Sequence, residues 1–121
     1  MKIAIVDDDG NAIMNLSEAV TSAGHEAVGM HVGGWYGKNL DGVVADILRE
    51  KPDFILLDHY LGEDCTGAQV AKHANVPLEK LIGTGTEKGN QPYCGKTLME
   101  KGFSKSSPSR MKDVGFATLF Q

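Results

Sequence analysis

Two short apolar runs, each stopped by an acid, constrain this chain more than any other feature. The first, Lys2-Ile3-Ala4-Ile5-Val6, runs into Asp7, Asp8 and Asp9. It reads as a buried strand leading into an acidic loop. The second, Phe54-Ile55-Leu56-Leu57, ends at Asp58. Its unbroken apolar character belongs to a strand covered on both faces, as in a parallel sheet, because a strand with one wet face would alternate.

The segments between and after these runs fit that arrangement. Ile13, Leu16, Val20 and Ala23 recur at near-helical spacing over residues 11–23, with Gly24 placed to cap the end. Residues 26–32 read as a second strand. Leu40, Val43, Val44, Ile47 and Leu48 form one apolar face of a second helix that Pro52 ends. A loop with Gly62 and Gly67 leads to a short helix over residues 68–74. Lys80, Leu81 and Ile82 predict a fourth strand, ending at Gly83-Thr84-Gly85-Thr86. Residues 87–95, with Gly89, Asn90, Pro92 and Gly95, are poor helix formers. Phe103 and Ser104 predict a brief fifth strand ending at Lys105, and Ser107-Pro108-Ser109 opens a last helix. Strand and helix alternating about five times predicts an α/β fold, a parallel sheet with helices on both faces.

The 121 residues make one domain, 1–121, large enough for a core without staples. A net charge of −4 provides no basic face, which argues against a nucleic-acid partner. No apolar run approaches the roughly 20 residues of a membrane span, and the N-terminus turns acidic too soon for a signal peptide. Cys65 and Cys94 form neither a CxxC pair nor a disulfide framework, so two free thiols in a reducing cytoplasm are expected.

In open α/β sheets, ligands bind outside the carboxyl ends of the strands. The predicted ends place Asp7, Asp8 and Asp9, then Asp58, Thr84 and Lys105, along one edge. Clustered carboxylates repel one another and raise each other's pKa. A hard divalent cation such as Mg²⁺ relieves that repulsion and binds carboxylate and phosphate oxygens. Phosphoryl transfer needs positioning and charge neutralisation, an aspartate can be its nucleophile, and a lysine and a hydroxyl can hold phosphoryl oxygens.

These segments carry a resemblance over essentially the whole chain. Ile5-Val6-Asp7-Asp8-Asp9, Ile55-Leu56-Leu57-Asp58 with Gly67 nine residues on, Leu81-Ile82-Gly83-Thr84-Gly85 and Gly102-Phe103-Ser104-Lys105 together resemble response-regulator receiver domains of two-component signalling. The resemblance implies a flavodoxin-like, doubly wound sheet of five parallel strands in the order 2-1-3-4-5. It implies that Asp58 is the phosphoacceptor and that Asp7 and Asp8 are the acidic pair at a Mg²⁺ ion. Tyr60 would add a backbone carbonyl to the metal, while Thr84 and Lys105 would follow the phosphoryl group in a conformational switch. Counting from the strand leaves Asp9 as the cap of the first helix. The partners implied are a sensor histidine kinase or a histidine phosphotransfer protein. The chain would then be a cytoplasmic phosphoacceptor rather than an enzyme. No effector domain follows, which suits a stand-alone regulator or the N-terminal part of a longer protein.

The sequence also departs from the family. Ser106 follows the lysine where proline is usual, and Gly102 stands at the aromatic switch position, so that coupling cannot run through residue 102. Residues 33–39 resemble an insertion, in which Trp35 and Tyr36 serve either a partner or local packing. The segment after Thr86 is a poor fourth helix, so the expected response is a rearrangement of residues 84–95. The histidines, at 25, 31, 59 and 73, lack metal-ligand spacing. A rival reading is a P-loop at Gly89-Asn90-Gln91-Pro92-Tyr93-Cys94-Gly95-Lys96-Thr97, but its first glycine lies one residue too far away. Another is a receiver-like binding module that is not phosphorylated.

Overall fold

A computed structural model of the chain describes residues 1–34, 37–62, 65–85 and 92–121. Strand β1 (Lys2–Asp7) is followed by α1 (Gly10–Ser22), β2 (Glu26–His31), α2 (Leu40–Glu50), β3 (Phe54–Leu57), α3 (Gly67–His73), β4 (Leu81–Gly83) and β5 (Lys96–Thr97). Two one-turn helices, α4 (Pro108–Met111) and α5 (Val114–Ala117), close the chain. The five strands are parallel and ordered β2-β1-β3-β4-β5. The chain thus has the doubly wound, flavodoxin-like arrangement.

Alternation along β1 explains how the sheet is covered. Ile3 and Ile5 point to one face, where Leu16, Ala19 and Val20 of α1 pack with Met111, Phe116 and Leu119. Ala4 and Val6 point to the other, where Val43 and Ile47 of α2 meet Val70 and Ala71 of α3. Ile3, Ala4, Ile5 and Val6 are all fully buried. A run without alternation is the expected sequence of a strand with two dry faces. Burying each such side chain contributes about 1.5–3 kcal/mol.

The helix boundaries follow local chemistry. Asp9 caps α1, its carboxylate accepting from the Asn11 N–H at 2.9 Å. Asn39 caps α2 through the Gly42 N–H, also at 2.9 Å. Thr66 and Gln69 form a reciprocal capping box at α3. Gly24, at φ +89°, takes the left-handed position just beyond α1.

One expectation is corrected. The fifth strand is Lys96–Thr97, not Phe103 and Ser104. Thr97 pairs with Gly83, after which a 3₁₀ turn (Met99–Lys101) and Gly102 at φ +76° redirect the chain. Phe103 then enters the core as part of a loop, beside Phe116. A buried aromatic imitates a strand residue in sequence, but here its backbone has turned away from the ladder. Between β4 and β5 the described residues, 84, 85 and 92–95, include no helix. Much of the irregular segment 87–95, and Trp35 and Tyr36, lie outside the described residues. Around that pair, Gly33 and Gly34 take positive φ, and the Lys38 N–H donates to the His31 carbonyl, folding the loop back onto β2.

The P-loop reading fails on geometry. Lys96 and Thr97 lie in a strand rather than at the start of a helix. The Lys96 ammonium is tied to the carbonyls of Leu119 and Gln121 at 3.3 and 3.0 Å. Cys65 and Cys94 are free thiols in the α2/α3 core, where burial pushes Cys94 up to about 12. Among the described residues, no helix is long and apolar enough to cross a membrane.

Candidate functional site

The carboxyl ends of β1, β3 and β4 deliver Asp7, Asp58 and Thr84 to one edge of the sheet. Parallel pairing sets their relative height. Val6 lies opposite Leu57, and Leu57 opposite Gly83, so the next residues emerge side by side. Backbone bonds continue the ladder past the strands, with the Asp58 N–H donating to Val6 and the Thr84 N–H to Leu57. Asp7 and Thr84 are buried, and Asp58 retains only 7% of its surface.

Lys105 reaches this edge from outside the sheet. It follows the Gly102 bend and Phe103 rather than ending β5. Asn15 of α1 donates its side-chain N–H to the Lys105 carbonyl at 3.3 Å. Ser106 closes the same turn by a hydroxyl contact to Ser104 at 2.9 Å. So held, the Lys105 ammonium lies 2.8 Å from Asp7 Oδ2 and 3.0 Å from Asp58 Oδ2. It bridges the two buried carboxylates.

The charges respond to their surroundings. Burial pushes the Asp7 carboxyl above its usual range, although hydrogen bonds from Lys105 and the Asp9 N–H oppose this. Burial likewise raises Asp58; Lys105 opposes the rise and the Asp7 charge adds to it. For Lys105, burial alone would lower the pKa, but the paired carboxylates prevail and hold it above its ordinary value. One ammonium therefore does not fully compensate two buried acids and the exposed Asp8 beside them.

Asp7, Asp8 and Asp58 each offer a ligand oxygen, all within 4.8 Å of one another. Three carboxylates are the hard oxygen donors that suit Mg²⁺. Asp9 is engaged as the cap of α1, and its N–H orients Asp7 through Oδ1 at 2.9 Å. Tyr60 is exposed and pairs with Thr66 in an isolated antiparallel bridge. Thr84 Oγ1 is buried and has no hydrogen-bond partner among the described residues. A buried hydroxyl without one carries a real cost, so its place at this edge suits an oxygen-rich ligand.

Further residues surround Asp58. The His59 N–H donates to Asp58 Oδ1 at 3.0 Å, and its Nδ1 lies 3.1 Å from the Tyr93 hydroxyl. Burial raises the Tyr93 phenol, so it stays neutral. Gly67 packs against the Asp58 backbone: a Cβ there would lie 2.4 Å from the Asp58 carbonyl oxygen. An aromatic in a glycine- and proline-rich stretch was the one available sign of Tyr93. Asn15, a polar residue in an amphipathic helix, gave none.

Several solved structures share this architecture. The response-regulator domain of Thermotoga maritima CheB aligns with a TM-score of 0.65 at 16% identity, covering 98% of this chain and 92% of that one. The chain has the receiver fold. A signal receiver domain of a modulated diguanylate cyclase from Desulfovibrio desulfuricans G20 aligns with a TM-score of 0.61 at 18% identity, covering 98% of this chain and 94% of that one. The anti-anti-sigma factor PhyR from Bartonella quintana aligns at 0.62 and 18%, with 98% of this chain on 47% of that one. No family model and no curated protein matches the sequence.

Proposed function

We propose that this receiver fold, over residues 1–121, is a phosphoacceptor in two-component signalling, with Asp58 as the group that accepts the phosphoryl. The supporting observation is the bridge of Lys105 between Asp58 and the buried Asp7, at the carboxyl edge of β1 and β3. In this reading an Asp58 oxygen attacks the phosphorus of a phosphohistidine on a sensor kinase or phosphotransfer protein, and the imidazole nitrogen leaves. Asp7, Asp8 and Asp58 would hold Mg²⁺, with the Tyr60 carbonyl as a further ligand. The ion would supply charge neutralisation for the transferring group. Lys105 exchanges part of its contact with the carboxylates for the phosphoryl oxygens, and the Thr84 hydroxyl donates to another. Those contacts exist only in the phosphorylated state, which a two-state switch requires. The chain itself is not an enzyme in this scheme, and its place of action is the cytoplasm.

The test is incubation with acetyl phosphate and Mg²⁺ followed by mass spectrometry. One phosphoryl group is expected, absent from Asp58→Asn. Phosphate on Asp9 or on a histidine would overturn the assignment. No phosphate at all would leave a receiver fold used as a binding module.

A further inference from the structure

The Lys105 ammonium sits between two carboxylates, yet no strand delivers it. The ladder ends at Thr97. The chain then passes through the 3₁₀ turn and bends at Gly102. From there to the start of α4 the backbone bonds to its own neighbours. The Phe103 N–H donates to the Leu98 carbonyl and the Ser107 N–H to the Ser104 carbonyl, both at 3.0 Å. The Ser104 hydroxyl accepts from the Ser106 N–H at 3.3 Å and meets the Ser106 hydroxyl at 2.9 Å. Phe103 on one side of the turn and Met111 on the other are buried in the core. These contacts shape the turn and hold its flanks, but none of them fixes Lys105 itself against the sheet.

Asn15 does. Its neighbour Leu16, with Ala19, is buried in one cluster with Ile3 and Ile5 of β1, which seats this part of α1 on the sheet. From there Asn15 Nδ2 donates to the Lys105 carbonyl at 3.3 Å, joining residues 90 positions apart. Among the described residues it is the hydrogen-bond partner of the Lys105 backbone. The same helix is capped by Asp9, whose N–H orients Asp7 through Oδ1 at 2.9 Å. One rigid element therefore locates both members of the 2.8 Å pair between Lys105 and Asp7. That matters for a lysine, because its stem is flexible and an unanchored backbone would add to the positions its ammonium can reach.

We propose that Asn15 is a positioning residue for phosphoryl transfer: by fixing the Lys105 carbonyl to α1, it places the ammonium where the phosphoryl oxygens arrive. The inference rests on the phosphoacceptor reading above. With acetyl phosphate as donor, an Asp58 oxygen attacks phosphorus and the bond from phosphorus to the acetyl oxygen breaks. The bonding pair leaves with acetate, and no proton has to move. The Lys105 ammonium stabilises charge on the phosphoryl oxygens only if it is already in reach during that transfer. Without the Asn15 amide the turn takes other positions, and the fraction of molecules with Lys105 in place falls. A neutral hydrogen bond sets that fraction, so its loss should slow transfer about fivefold.

The experiment measures uptake of phosphate by the whole chain over a range of acetyl phosphate and Mg²⁺ concentrations. Asn15→Leu keeps the size of the side chain but cannot donate, and its maximal rate should lie about fivefold below wild type. Asn15→Gln retains the amide and should fall between the two. In a Lys105→Met background Asn15→Leu should add nothing, because the residue it positions is gone. The ammonium and Mg²⁺ are drawn to the same carboxylates, so a less firmly seated Lys105 should leave Mg²⁺ affinity unchanged or higher. A general loosening of the site would lower it. Without donor or Mg²⁺, the Lys105 ammonium protons should exchange with water faster in Asn15→Leu, as followed by NMR, while circular dichroism stays the same. Uptake by Asn15→Leu at the wild-type rate overturns the proposal, as do weaker Mg²⁺ binding, unchanged ammonium exchange, or an effect that multiplies with Lys105→Met. If wild type takes up no phosphate, the phosphoacceptor reading falls and this inference with it, an outcome distinct from normal uptake that Asn15→Leu leaves unchanged.

Discussion

Replacing Lys105 with methionine removes the ammonium that, among the described residues, faces two buried carboxylates. Its contacts, at 2.8 and 3.0 Å, each represent gross attraction of about 5–6 kcal/mol at an effective dielectric of 20. Most of that is offset by the cost of burying three charged groups, and by repulsion between Asp7 and Asp58. Breaking a buried pair by deleting one partner nevertheless costs about 3–5 kcal/mol, because the other charge is left uncompensated. Lys105→Met should therefore lower stability by roughly 3 kcal/mol at pH 7 without Mg²⁺. Part of the loss should return in Lys105→Met/Asp58→Asn, which carries one buried carboxylate fewer. The pH dependence has a definite sign. Burial holds the Asp7 and Asp58 carboxyls above their ordinary value of 3.8 in the folded chain, so the neutral acids fit the fold better. Their contribution is fully present below pH 3.8 and is lost as pH rises through the folded values. Without Lys105 those values rise further, so the cost of Lys105→Met should shrink as pH falls from 7 toward 5. Urea unfolding in EDTA, at both pH values, measures it. A cost below about 1 kcal/mol that ignores both pH and Asp58→Asn would refute the reasoning, since it would match an exposed pair.

Mg²⁺ titrations should show weakened binding in Asp7→Asn and Asp8→Asn and near-normal binding in Asp9→Asn, whose fault would be confined to the α1 cap; Asp9→Ala should cost about 1 kcal/mol in denaturant unfolding. Gly67→Ala should destabilise by about 1–3 kcal/mol and slow labelling by acetyl phosphate, because its Cβ would fall on the Asp58 carbonyl oxygen and the Tyr93 hydroxyl. Asp46, mostly buried, accepts from Lys38 at 2.6 Å and pairs with Arg49 at 2.8 Å, and the Lys38 bond holds its carboxyl below the usual range. Both cations are more than half exposed, so Asp46→Asn should cost only about 1 kcal/mol at pH 7. That cost should vanish as pH falls below 3.8 and through the folded value, which acid titration of the melting temperature would follow.

What could be read from the chain alone was whatever burial imposes locally. The runs that end at Asp7 and Asp58 carry unbroken apolar character because both faces of β1 and β3 are dry. The apolar face of α2 and the cap at Asp9 follow from periodicity and from the need to satisfy the first N–H groups of a helix. Because parallel strands share a direction, the residues after β1, β3 and β4 had to fall on one edge. That made Asp7, Asp58 and Thr84 neighbours in expectation before they were so in space. Lys105 was legible as a residue but not as a geometry. Its approach depends on the positive φ of Gly102, the burial of Phe103 and the grip of Asn15, and these are settled by packing against α1 rather than by the Phe103-Ser104-Lys105 triplet. The fifth strand was misplaced for a related reason: Lys96 and Thr97 have no apolar signature, and only their pairing with Ile82 and Gly83 makes them a strand. Tyr93 belongs wholly to tertiary structure. Its meeting with His59 joins residues 34 positions apart, and no local pattern announces a hydrogen bond made across two elements.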